Sequence, residues 1–170
     1  MERLFVRFLS STAILVCLFL PLVCAGSDTR PNILILNSYH PNFDWSDVEQ
    51  AGLLGRLQEV YPGLDPPVEY LDTKRHPDRE YLETFVAFIH AKYQGTKVDL
   101  VVCLDNPALE TLIDHQDTLF PGVPVVFAGI SGFRTEMLKG RRLVTGVCEM
   151  QDLKGTLDAA IALHPQVRAV

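Results

Sequence analysis

The chain has 170 residues, 48% hydrophobic and 21% charged, with a formal net charge of -6 and a pI near 5.3. That balance excludes a disordered or collagen-like polymer and suffices for one domain with a buried core. The acidity excludes nucleic acid as a partner, because phosphate binding needs a basic footprint.

Arg3 and Arg7 give a positive start, and an apolar run follows from Ala13 to Ala25. Its length of about 13 residues suits the core of a signal peptide and falls short of the roughly 20 that a membrane span needs. Val23-Cys24-Ala25 offers small or aliphatic residues at the positions that cleavage reads, so cleavage is expected after Ala25. The rest is then periplasmic or otherwise extracytoplasmic. Cys24 raises lipid attachment as an alternative, which the bulk of Val23 disfavours; an uncleaved anchor is another.

Without that segment 145 residues remain, carrying -7 because Glu2, Arg3 and Arg7 leave together. Cys103 and Cys148 are then the remaining cysteines, in a compartment that permits disulfides. Cys103 lies in a strongly apolar run, where a buried, inert thiol is expected. A Cys103–Cys148 bridge is the less favoured alternative.

The body alternates strand and helix. Ile33-Leu34-Ile35-Leu36 is a short continuous apolar run, as in a strand buried on both faces. Ser46-x-x-Glu49 reads as a capping box for a helix with its stripe on Val48, Ala51, Leu54, Leu57 and Tyr61, ended by Pro62-Gly63. Val68 to Leu71 is the second strand. Pro77 suits the first turn of the next helix, whose buried face is Leu82, Phe85, Val86, Ile89 and Tyr93, with Gly95 closing it.

Leu100 to Leu104 is the third strand. Asp105 or Asn106 is expected to cap the following helix, with Pro107 at its first position. Val123 to Ala128 is the fourth strand and Leu143 to Val147 a short fifth. A last helix aligns Leu153, Leu157, Ala160, Ile161 and His164 before Pro165, and Val167 to Val170 reads as the start of a sixth strand.

Repeated strand–helix–strand units with right-handed crossovers predict an α/β fold: a three-layer, doubly wound parallel sheet. Ligands bind such sheets beyond the carboxyl ends of the strands. The segments of interest are therefore Asn37–Trp45, Asp72–Pro77, Asp105–Asn106 and Gly129–Phe133.

Several chemistries lack their residues. Asn37-Ser38-Tyr39-His40 holds no glycine, so no dinucleotide fingerprint follows the first strand. Neither a phosphate-cradling glycine loop nor a G-x-S-x-G elbow is present. The five histidines are dispersed without zinc-ligand spacing. Asp105 resembles the phosphoacceptor of a receiver domain, but Asn37 and Ser38 stand where the acidic pair is needed. No metal, cofactor or catalytic residue is expected, and the chain reads as a binder and not an enzyme.

The residues that suit binding cluster in the first of those loops. Tyr39 and Trp45 can supply stacking surface, and Asn37 and Ser38 polar contacts; alternatively, Phe43 and Trp45 merely staple the start of the helix. Asp105 and Asn106 share capping and cleft-facing roles, one of each. Gly129 and Ile130 lie where backbone can approach a ligand closely. The run Asp72-Thr73-Lys74-Arg75-His76-Pro77-Asp78 reads as a solvated turn, with contact to a partner lobe or to an anionic ligand group as the alternative.

The segments ILILNSYH, YLDTKRHPD, DLVVCLDNPAL, FPGVPVVFAGI and TGVCEMQDLKGTLDAAIALHP occur in that order. Together they resemble the periplasmic ABC-transporter substrate-binding-like domain at the N-terminus of bacterial sensor histidine kinases and related signalling proteins. The resemblance spans residues 31 to 170. It implies a type I periplasmic-binding-protein fold, in which two α/β lobes close on a small molecule. It places the pocket at Asn37, Ser38 and Tyr39, at Asp105 and Asn106, and at Gly129 and Ile130.

On that basis residues 1–25 are the signal peptide, 26–148 the first lobe, and 149–170 the crossover helix and the beginning of a truncated second lobe. The implied partners are a small-molecule ligand, the second lobe, and a membrane signalling module or an ABC permease. A sensor for a signalling receptor is the leading expectation. A soluble substrate-binding protein of an ABC importer is the alternative, and an exported α/β hydrolase using Ser38 a remote one.

Overall fold

A computed structural model describes residues 30–166; the expected signal peptide and the expected sixth strand at Val167–Val170 lie outside the described residues. In chain order the elements are β1 (Ile33–Asn37), α1 (Asp44–Val60), β2 (Val68–Tyr70), α2 (Arg79–Tyr93) and β3 (Leu100–Leu104). There follow α3 (Asp105–Leu119), β4 (Val125–Ser131), a 3-10 turn (Thr135–Leu138), β5 (Val144–Glu149) and α4 (Leu153–Leu163). All the strand pairs are parallel, in the order β2-β1-β3-β4-β5. The chain is thus an α/β protein with a parallel sheet flanked by helices.

The apolar runs become central strands because both of their faces are covered. Every residue of β1 is buried. Leu34 and Leu36 face a core shared with Ile89 of α2 and Leu109, Leu112 and Ile113 of α3. Ile33 and Ile35 face the opposite layer with Val102 and Leu104, covered by Leu53, Leu54 and Leu57 of α1. Each such side chain contributes about 1.5–3 kcal/mol by leaving water, so a one-residue register slip would exchange two full layers.

Local signals shifted where tertiary partners competed. The expected Ser46–Glu49 capping box does not form: α1 begins at Asp44, and the Ser46 hydroxyl donates to the Phe43 carbonyl instead, at 3.4 Å. The buried face of α1 also differs from the expected stripe. Leu53, Leu54 and Leu57 pack on the sheet, whereas Val48 and Ala51 are exposed. Pro77 lies outside α2, which Asp78 caps by accepting the Tyr81 N–H at 2.9 Å. β4 runs three residues beyond Ala128, so Gly129 and Ile130 belong to the strand, at a register shift between Phe127 and Ile130. β5 likewise continues to Glu149.

Close packing of β4 on β5 depends on Gly146, which pairs with Phe127. A Cβ there would lie 2.1 Å from the Phe127 carbonyl oxygen and 2.5 Å from its ring. Beyond β5, α4 is capped by Asp152, but none of its residues is buried; Leu153 and Leu163 are 75% and 77% exposed. Cys103 and Cys148 are both free, so the alternative of a bridge between them is not realised.

Candidate functional site

β1 and β3 are neighbours, yet the helices that follow them cover opposite faces of the sheet. The chain therefore parts above their carboxyl ends, the position where open parallel sheets hold ligands. Asn37 ends β1 here with Ser38 just after it, and Asp105 and Asn106 follow β3.

Ser38 ties this point together. Its hydroxyl donates to the Leu104 carbonyl at 2.6 Å and accepts the Ala108 N–H at 2.8 Å. Its backbone carbonyl accepts both the Thr73 hydroxyl (2.7 Å) and the Thr73 N–H (3.1 Å). A free donor at the start of α3 is thus satisfied from the residue just after β1, 70 residues away in the chain. This corrects the expectation that Asp105 or Asn106 caps α3, since neither side chain makes a cap bond. The Asn106 amide instead bridges to β4, donating to the Ser131 carbonyl (3.1 Å) and accepting its N–H (3.0 Å).

Asn37 is also committed internally. Its amide donates to Gln50 at 3.0 Å and its carbonyl accepts the Tyr39 N–H at 3.0 Å. Both Asn37 and Ser38 are 0% exposed, so they build the floor of the cleft and do not face into it. Ile130 is equally hidden, with its side chain in the core.

The open part of the cleft lies beside α1. A groove of about 810 Å³ is lined by Asn42, Phe43, Asp44, Trp45, Val48, Glu49 and Glu149. Trp45 is 61% exposed and Val48 74%, which leaves a broad apolar wall in contact with water. Trp45 therefore presents its surface to the groove. Phe43 packs edge-on against Tyr39, with ring centroids 4.9 Å apart, and Lys74 sits 4.8 Å above the Tyr39 ring. The Asp72–Asp78 loop therefore reaches the site through Lys74.

Carboxylates form the polar side of this groove. The carboxylates lie close over the Gly129 backbone, at φ +70°: a Cβ there would lie 2.8 Å from a Glu49 oxygen and 3.2 Å from Asp105 Oδ1. The left-handed φ itself favours glycine at this position. Asp105 is itself at φ +67°, a left-handed conformation that Asp and Asn tolerate better than other residues with side chains. Glu149 accepts the Ser131 hydroxyl at 2.5 Å.

Burial and mutual repulsion hold these acids above their ordinary range. Burial first, then the charges of Asp105 and Glu149, push Glu49 up to about 7. Burial and Glu149 push Asp105 up to about 6, against the opposing effects of Trp45 and Lys74. Tyr39 is raised by burial and by the same three carboxylates. Glu49 Oε2 and Asp105 Oδ2 are buried without a hydrogen-bond partner.

Sequence reasoning missed Glu49 and Glu149 as site residues. Glu49 was absorbed into a capping box, and Glu149 lies past the expected end of β5. The signal that was available is an acidic residue at the carboxyl end of a parallel strand. Among the described residues, no group of three or more His, Cys, Asp or Glu side chains is arranged to hold a metal ion. Compared with family models, with curated proteins and with solved structures, the chain matches none.

Proposed function

We propose that this chain is the ligand-recognition lobe of an extracytoplasmic small-molecule sensor, of the periplasmic substrate-binding-like kind that its ordered segments resemble. The observation that carries the reading is the groove beside Trp45, Val48 and Glu49, at the carboxyl edge of a parallel sheet. It combines a broad apolar wall with a few convergent polar groups, the composition of small-ligand sites. A rigid floor tied by Ser38 and Asn106 supports the same reading. In this proposal residues 1–25 export the chain, and a second lobe closes the cleft from above.

Hydrolysis finds no support at Ser38. A nucleophile must reach its substrate, and this hydroxyl is fully buried and donates to the Leu104 carbonyl.

Trp45 is the sole tryptophan of the chain, so its fluorescence reports on this groove alone. Titration of the full chain with amino acids, nucleosides, organic acids and amines is expected to give a saturable change with at least one class. Flat titrations across that panel would defeat the sensor reading.

A further inference from the structure

The polar groups of the groove have a bias that a generic small-molecule site lacks. Asp44, Glu49 and Glu149 line it, and no cationic side chain does among the described residues. Behind Glu49 lies Asp105, only 5% exposed, with Oδ2 lacking any donor. Glu49 Oε2 lacks one too. Leaving such atoms unsatisfied is costly, the more so when they are charged. The two carboxylates crowd together over the Gly129 backbone, where a Cβ would lie 2.8 Å from a Glu49 oxygen and 3.2 Å from Asp105 Oδ1.

Protein cations do not fill this need. Lys74, from the β2–α2 loop, rests over the Tyr39 and Phe43 rings at 4.8 and 5.4 Å and only moderates Asp105 from a distance. No basic group of α1, α3 or β5 figures among the influences on Glu49. What is missing is a donor of several N–H bonds that carries positive charge, placed beside an aromatic and aliphatic wall. Charge-assisted bonds of this kind are about twice as strong as neutral ones.

Resting on the sensor reading above, we infer that the groove selects an organic cation. An ammonium or guanidinium group pairs with Glu49 and Glu149, with the Asp105 carboxylate adding negative charge from behind, while its apolar body lies on Phe43, Trp45 and Val48. Binding of the cation also draws protons off the carboxylates, which are held above their ordinary range until it arrives. The groups facing this event are Tyr39 after β1, Glu49 on α1, Lys74 after β2, Asp105 on α3 and Glu149 on β5.

The test compares three probes of similar shape and different charge: phenethylamine, 2-phenylethanol and 3-phenylpropanoate. Calorimetric titration of the full chain at pH 8 is expected to show the amine binding at least about tenfold more tightly than the alcohol, equivalent to about 1.4 kcal/mol. The carboxylate should bind worst. At pH 5, below the titration of Glu49 and Asp105, the preference for the amine should shrink. Asp105→Asn and Glu49→Gln should each narrow the amine-to-alcohol ratio at pH 8, with thermal unfolding confirming that both variants fold. Equal binding of amine and alcohol, or a preference for the carboxylate, overturns the cation inference and leaves the sensor reading standing. Absence of binding by all three, together with flat Trp45 titrations, removes both.

Discussion

Replacing Asp105 with Asn isolates the electrostatic cost of the cleft. The substitution keeps the shape of the side chain and removes the charge. It also respects the backbone, because Asn tolerates the left-handed φ of +67° as Asp does. Burial and Glu149 raise Asp105 from 3.8 to about 6. The folded state therefore holds a proton that the unfolded chain releases, and stability falls as pH rises between those values. The full penalty is absent below the unfolded value and complete above the folded one. A rise of this size corresponds to about 3 kcal/mol. A favourable interaction of the carboxylate with the start of α3 is worth about 0.3–1 kcal/mol and does not reverse the balance. Urea unfolding at pH 8 should find Asp105→Asn more stable than the parent by about 1–3 kcal/mol, and the gap should close near pH 4. Glu49 should also titrate below its present value of about 7, since the Asp105 charge helps to raise it. A variant that is less stable at pH 8, or a gap that is the same at both pH values, would refute the reasoning.

Other consequences follow from the packing and from the proposed export. Ser38→Ala removes the hydroxyl that serves both Leu104 and Ala108; a loss of about 1–3 kcal/mol is expected by urea unfolding, and a loss below about 0.5 kcal/mol would contradict the latch. Gly146→Ala drives a Cβ against the Phe127 carbonyl, so about 2–3 kcal/mol or more should be lost, with the midpoint of thermal unfolding as the measure. Cys103 is 0% exposed and burial pushes its thiol up; peptide mapping should show it unlabelled by iodoacetamide until urea unfolds the chain. Residues 1–25 fused to alkaline phosphatase should export an active reporter, and cytoplasmic retention would contradict the signal-peptide reading.

The strands were legible because covering both faces of a parallel sheet demands unbroken apolar runs. Ile33–Leu36 and Leu100–Leu104 therefore stood out without any tertiary information. Element ends were less so, because their donors are satisfied across the fold. Nothing local to Asp105-Asn106-Pro107 reveals that Ser38 supplies the hydroxyl for α3, or that Asn106 is drawn away to Ser131. The helical stripe of α1 was misphased for a related reason. Val48 follows the apolar period but lines the groove, while Leu53 joins Leu54 and Leu57 against the sheet. An apolar residue kept on the wrong face is what a ligand wall looks like in sequence. Without the phase of the helix it cannot be told from core.

The latch at Ser38 also sets where a guest can go. β1 and β3 send their chains to opposite faces, a divergence that opens a crevice above their carboxyl ends. One hydroxyl and one carbonyl stitch both strands, the start of α3 and the loop after β2 into a single plate. In the sensor reading, a ligand therefore lies on top of that plate, against α1 and β5. On the same reading, selectivity belongs to walls that can differ in sequence without loosening the foundation. The part of the cleft most free to change is the part farthest from the seam that holds the sheet together.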